Sequence, residues 1–470
     1  MGTTLHHVEG THVRPSPDRR LAAPLAAILS LVLAGTALAV DPTPSPSPSP
    51  TSTPSATASP TPSPTPSPTP SPPGPTALPA SVAFRGGGYG HGVGLSQYGA
   101  RGRAIAGQDA ATILAHYYAG TTLGGVDPAT PIRILVLNGY APTETAPLVV
   151  VGLSGTWIVE GLPGPFAAGT RLSVRLPSPG TTGWRLTMTD AAGAVIATGS
   201  RTSAFVIAPA DATGRLELKT KPSYYDEYRG ILRVHPGSNR LSVVNELPID
   251  AYLRGVVPAE MPSTWPAQAL AAQAIAARSY AAYRLRPGVG TYDTVDDSRS
   301  QVYRGVLAEK ATVDAAVTAT AGEVLRSGTG IANALFHSTG GGATEHNENA
   351  FVSSSGAKVA GPLSYLRGSP DVDAAGARYD AASPYAAWTT KAYPLATVSA
   401  WFAADSRTNV GSLVALDLGV RGVSGRLVSV TLIGSGGTKR VSGDVFRAVF
   451  NARNPSGDPD LRSNQIFLAP

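Results

Sequence analysis

From Asp41 to Ala80 the chain is built mainly of proline, serine and threonine and carries one charge, Asp41. Such a stretch buries too little apolar surface to offset the entropy of ordering it, and its prolines keep it extended. The expectation is a disordered Pro/Ser/Thr linker over residues 40–80 that, at about 3.1 Å per residue, reaches on the order of 100 Å. It divides the 470-residue chain into a short head and a long body. Packed structure is therefore expected in residues 81–470.

In the head, Arg14, Arg19 and Arg20 precede an uncharged apolar run over residues 21–35, and Ala37-Leu38-Ala39 offers a small-x-small site before Val40. This pattern predicts a signal peptide over residues 1–39, cleaved after Ala39. The other reading keeps residues 21–40 as an uncleaved membrane anchor, since they are about long enough to cross a bilayer. Pro24, Ser30, Gly35 and Thr36 weaken the run's partition into lipid and favour cleavage. Both readings place the body outside the membrane, secreted or at the cell wall.

The sequence has no cysteine, which excludes disulfides, a thiol nucleophile and thiolate-bound metal. Its formal net charge of +6 suits a mild attraction to an anionic wall and is far from a nucleic-acid-binding stripe. Removing residues 1–39 lowers that charge by one, because three arginines leave with Glu9 and Asp18.

Within the body, residues 84–123 open with a glycine-dense loop, followed by a helix over Ala110–Tyr118 with Asp109 as N-cap and Gly120 as stop. Residues 131–244 read as short strands separated by Gly, Pro and Asp clusters: 132–137, 149–151, 156–159, 172–176, 184–189, 205–208, 216–219, 230–234 and 241–244. One long Ala-rich helix is expected over Pro266–Arg286, ended by Pro287-Gly288. Further helices are expected over 308–320 and 443–450, with strands near 413–433. The fold class is α+β, with a β-rich body and the long helix beside the candidate active site.

Glu260 lies in Val256-Val257-Pro258-Ala259-Glu260-Met261-Pro262, with Trp265 close behind. Apolar surroundings disfavour a charged carboxylate, which would make Glu260 a general acid near neutral pH. The alternative is a carboxylate at the N-terminus of the long helix, where the dipole lowers the pKa instead. Arg278, the one charge between Pro266 and Tyr283, shares a stripe with Leu270 and Ala274, so it either lines a cleft or sits in a buried ion pair. Of the body's histidines, His91, His116, His235, His337 and His346, none forms a His-Glu-x-x-His pair. There is also no Gly-x-Ser-x-Gly elbow, so the zinc-protease and α/β-hydrolase readings lose their motifs. The 85–99 loop lacks phosphate-loop spacing. It could instead bring His91, Gln97 and Tyr98 close to a sugar, or be a tight turn packed on a sheet.

Several segments together resemble one family. Gly-Tyr-Gly-His-Gly-Val-Gly-Leu-Ser-Gln-Tyr-Gly-Ala (88–100), Asn245–Pro262 running on to Ala271–Tyr280, Gln301-Val302-Tyr303-Arg304-Gly305 and Phe336-His337-Ser338-Thr339-Gly340-Gly341 are similar to blocks of the sporulation stage II protein D (SpoIID) / amidase enhancer LytB family. The resemblance implies a peptidoglycan-acting domain over 81–470, with central and C-terminal blocks over 245–467. It implies Glu260 as the acid of a lytic transglycosylase, with Arg278 also required. His91, Gln97, Tyr98, Gln273, Tyr303, His337 and Ser338 would face the glycan. The other branch of the family implies a non-catalytic enhancer that binds the wall and stimulates a peptidoglycan amidase, with Glu260 and Arg278 as a structural pair. Sporulation members bind zinc near a Cys-Asp-Thr-Thr-His-Cys stretch. Asp296-Asp297-Ser298-Arg299-Ser300 stands there in this chain, so no metal and no cofactor is expected.

The block order is permuted: in sporulation members the glycine-rich block follows a segment like Leu461–Phe467, whereas here it opens the body. Circular permutation requires residues 80 and 470 to lie near each other and His91 to face the central cleft. The leader generates its own prediction. N-terminal sequencing of protein collected outside the membrane should begin at Val40 or a neighbour, and full-length protein recovered from the cytosol of its own cell would refute export.

Overall fold

The computed structural model describes residues 74–177 and 182–470. The expected signal peptide and residues 40–73 of the expected linker lie outside the described residues. The remainder of that linker belongs to the fold: Thr76–Ala77 pairs with Leu413–Asp417, and the Leu78 amide donates to the Val414 carbonyl at 2.9 Å. Leu78 supplies the apolar anchor that the Pro/Ser/Thr tract lacks.

Eight helices occur among the described residues: α1 Gln97–Ile105, α2 Ala110–Tyr117, α3 Ile249–Glu260, α4 Ala267–Arg284, α5 Ala311–Ala319, α6 Asn347–Ala350, α7 Leu395–Ala403 and α8 Gly443–Arg453. The long helix forms as expected, two residues shorter at its C-terminus, and is the axis of the central part. Ala269, Ala272, Ala274, Ala276 and Ala277 are all fully buried. A helix apolar on every side is one enclosed on every side. Its small side chains let α1, α2, α3 and α5 pack directly on it.

The β-rich region forms two antiparallel layers. A seven-stranded sheet runs in the order 294–295, 131–140, 241–248, 231–236, 205–209, 156–159, 166–167, with only its first pair parallel. A six-stranded sheet runs 195–201, 184–189, 171–175, 148–154, 215–217, 227–228. Period-two burial drives both: Ile132, Ile134 and Val136 point inward from one strand, and Trp184, Leu186 and Met188 from another. These side chains share one core with α3, α4 and α5.

A second core lies under the sheet Thr76–Ala77, Leu413–Asp417, Ser429–Gly434, Gly437–Ser442 and joins the two ends of the body. The strand Phe84–Gly86 pairs antiparallel with Ile466–Leu468, and the Ala469 amide donates to the Ala83 carbonyl at 2.9 Å. Phe84 is enclosed edge-on by Phe446 and Phe450, at 5.6 and 5.5 Å between ring centres. The proximity that a permuted block order requires is present.

Inside α4, Arg278 is fully buried. Its Nε donates to Asp250 Oδ1 at 2.6 Å, and Nη2 donates to Asp250 Oδ2 and to the Val317 carbonyl, both at 3.2 Å. Nη1 reaches the Glu323 carbonyl at 3.1 Å and Thr320 Oγ1 at 3.5 Å. Cutting Arg278 to Met strands Asp250 without its cation. We expect a loss of about 3–5 kcal/mol in chemical denaturation. Arg278→Met combined with Asp250→Leu should recover much of it, and a single variant as stable as wild type would refute the pair's structural role.

Candidate functional site around Glu260

The α3–α4 corner is set by three prolines. Pro248 precedes α3, whose buried residues Ile249, Tyr252, Leu253, Val256 and Val257 follow the i, i+3, i+4, i+7, i+8 pattern of an inward stripe. Pro262 pushes the residue before it out of the helical region. Met261 is accordingly extended, at φ −136° and ψ 135°, and α3 stops at Glu260. Pro266 then starts α4.

Glu260 is thus the last residue of a helix. It is neither on an irregular turn nor at a helix N-terminus. That corrects the dipole alternative: the carbonyl end of α3 is its negative pole, and it disfavours a carboxylate there. Glu260 is half-buried, and desolvation raises its pKa above the usual carboxylate value. Two influences oppose the rise: the Val302 amide, which donates to Glu260 Oε1 at 2.8 Å, and the Arg304 guanidinium.

The Val302 amide is held in place by the residue before it. Gln301 is buried, donates to the Ala277 carbonyl at 3.2 Å and accepts from the Tyr252 hydroxyl at 3.2 Å. The segment leading to it is braced by ions: Lys221 pairs with Asp296, Arg299 with Asp297 at 2.8 Å, and the hydroxyls of Thr294 and Ser300 meet at 2.6 Å.

The glycine-rich segment reaches this corner through Tyr98, whose ring meets Trp265 edge-on at 4.7 Å. Gln97 donates to Gln273 Oε1 at 3.4 Å, and Gln273 Nε2 is buried without a partner. The loop is shorter than its composition suggests, because α1 begins at Gln97 with Ser96 accepting from the Gly99 amide at 3.2 Å. Glycine is required where the segment crosses its neighbours. Gly92 (φ 84°) and Gly94 (φ 69°) lie in the left-handed region, and a Cβ on Gly94 would fall 2.0 Å from the Leu335 carbonyl.

Other expected site residues fall elsewhere. Arg278 pairs with Asp250 and not with Glu260, so neither the cleft reading nor a Glu260–Arg278 pair holds. Tyr303 is a core residue, 4% exposed, with its hydroxyl donating to Asn245 Oδ1 at 2.9 Å and its ring beside those of Tyr228 and Tyr252. His91 sits against His337 and Phe351, at 5.5 Å to each ring. Among the described residues no hydrogen bond or ring contact joins His91 to Glu260.

Burial, reinforced by Arg426, lowers the pKa of His91 to about 4, and burial with His91 nearby takes His337 well below its usual value. Both rings are neutral near pH 7, with His91 Nδ1 accepting from the Val93 amide at 3.0 Å. His337 Nδ1 lies 3.2 Å from the Val93 carbonyl, so it carries the proton, and its buried Nε2 has no partner. Ser338 is half-buried; its carbonyl accepts from the Tyr98 amide at 3.0 Å and its hydroxyl meets that of Thr339 at 3.2 Å. Two cavities lie apart from Glu260, one beside Arg133 and Asp293, the other between α7 and Gly411–Leu413.

Part of the chain is similar to known proteins. The family model described as stage II sporulation protein (SpoIID) matches residues 237–326, which include α3, most of the α3–α4 corner's supports and Arg304. An uncharacterized protein of Brachyspira hyodysenteriae is 37% identical over 127 residues, covering 27% of this chain and 34% of the relative. A protein of Bacillus subtilis named amidase enhancer is 32% identical over 171 residues, 34% of this chain and 21% of the relative. The chain therefore spans about a third and about a fifth of these two relatives. The match over residues 237–326, which include Glu260, together with the similarity to an amidase enhancer assigns this part of the chain to the SpoIID/LytB family.

Proposed function

We propose that this is an exported cell-wall protein that cleaves the glycan strands of peptidoglycan as a lytic transglycosylase, with Glu260 as its acid and base. The observation that carries the reading is a half-buried carboxyl group at the negative end of a helix, its pKa raised by desolvation and its Oε1 held by the Val302 amide. A hydrolase needs a second carboxylate to activate water or form a glycosyl intermediate. Transglycosylation does not. Protonated Glu260 donates to the glycosidic oxygen as its bond to C1 breaks. The resulting carboxylate takes the proton of the same sugar's C6 hydroxyl as that oxygen bonds to C1. Glu260 ends protonated, no water is consumed, and the product carries a 1,6-anhydro end.

Tyr98 and Trp265 beside the corner suit stacking on a sugar ring, whereas Gln97 and Gln273 are buried and join the glycine-rich segment to α4 beneath it. Arg278 acts as a positioning residue in this account, by fixing α3 against α4.

The second reading, a non-catalytic amidase enhancer, is favoured by the name of the Bacillus subtilis relative. Incubating residues 74–470 with peptidoglycan separates the two. Glu260→Gln should abolish release of anhydro-ended fragments by about 10²–10⁴-fold at an unchanged melting temperature. Wild-type activity should fall as pH rises through the raised Glu260 pKa, because only the protonated acid starts the reaction. No fragments from wild type, together with a faster rate of an added amidase, would replace the first reading with the second.

A further inference from the structure

Arg304 is set apart from the arginines around it. Arg229 pairs with Glu309 at 2.8 Å, Arg254 with Asp314 at 3.9 Å, Arg278 with Asp250, and Arg284 donates to Asn333 Oδ1 at 2.9 Å. The Arg304 guanidinium has no carboxylate at ion-pair distance among the described residues; it lies over the ring of Tyr225, 4.8 Å from its centre. Its backbone amide donates to the Gly255 carbonyl of α3 at 3.1 Å, and two residues earlier the Val302 amide holds Glu260. The same segment thus ties both Arg304 and the Val302 amide to α3, and the Arg304 side chain donates no hydrogen bond among the described residues.

Tyr225 comes from the β-rich region, and next to it Tyr224 is 75% exposed, its ring edge-on at 5.4 Å. A half-buried guanidinium over an aromatic ring, without an acid, is suited to bind a planar anion in bidentate fashion. The exposed tyrosine beside it offers a face for a sugar ring.

We propose that Arg304, supported by Tyr225, binds a carboxylate carried by the glycan strand next to the bond that Glu260 attacks. This rests on the reading of Glu260 as a glycan-cleaving acid. Two carboxylates of peptidoglycan fit the chemistry: the lactyl group of the muramic sugar, free when no peptide is attached, and those of an attached peptide. Arg304 and Tyr225 thereby select which strands enter.

Binding is measured without turnover, in the Glu260→Gln protein, by calorimetry with three soluble probes: peptide-free strands, the same strands with the lactyl carboxylate converted to its amide, and peptide-bearing strands. Adding Arg304→Gln should weaken binding to the carboxylate-bearing probes by about ten- to a hundredfold, as expected for a charge-assisted hydrogen-bonded pair, and leave the amidated strands unaffected. Arg304→Lys, which keeps the charge, should recover part of the loss at the same melting temperature. If the effect lies on peptide-free strands the lactyl group is the ligand, and if on peptide-bearing strands the peptide is. Equal losses on carboxylate and amidated strands, no loss on any, or no binding by the parent protein would each overturn the proposal. Arg304-dependent binding in a wild-type protein that releases no anhydro ends would instead overturn the transglycosylase reading and leave this one standing.

Discussion

The ion pair of Arg278 and Asp250 is the contact on which the geometry at Glu260 depends. One side chain on α4 reaches α3 through Asp250, the end of α5 through Val317 and Thr320, and the following strand through Glu323. A buried pair of this kind adds little net stability over a well-packed apolar alternative, because both charges must be desolvated. Its effect is to specify register. Alanines along α4 leave few shape constraints of their own, so a sliding error of α3 on α4 is opposed chiefly by a guanidinium that has its partners in one arrangement. Glu260 lies ten residues along α3 from Asp250, and its direction follows from that register.

The strands and α4 could be read from the sequence because their signals are local. Alternation of buried residues with exposed ones marks 156–159, and with half-buried ones 184–189, to the residue, and Pro266 and Pro287 bracket α4. Helix α3 was hidden by Pro248, Gly255, Pro258 and Pro262, which read as breakers. The inward stripe from Ile249 to Val257 carried the contrary signal and would have revealed it. Pro258 stands inside α3 within one turn of its end, where it leaves the Arg254 carbonyl without its i→i−4 donor.

The site was legible in part, for a related reason. Family resemblance picks out residues that matter without telling which way they face. Arg278 and Tyr303 matter to the fold: one holds two helices together, and the other fills the space under Gly255, where a Cβ would fall 2.7 Å from its ring. Arg304 is not legible in the sequence, because an arginine in a Tyr-Arg-Gly run carries no signal of its own. Its significance comes from an aromatic ring nearly eighty positions earlier and from acids that are not beside it.

The electrostatic balance at Glu260 explains why such an arginine would be placed there. Burial and the end of α3 push the carboxyl group toward its neutral form, while the Val302 amide and the Arg304 charge stabilise the ionised form. A group whose folded pKa is raised favours the folded state below its ordinary pKa and loses that contribution as pH rises through the raised value. The amide cannot be removed by a ligand, but the charge can be neutralised by one. A strand carboxylate on Arg304 would offset the positive charge that stabilises the ionised form, and that raises the Glu260 pKa further. The acid would then be most fully protonated when a strand lies against it. In the empty protein the same arginine keeps the carboxyl group nearer its ordinary range, which limits what a buried acid costs the fold.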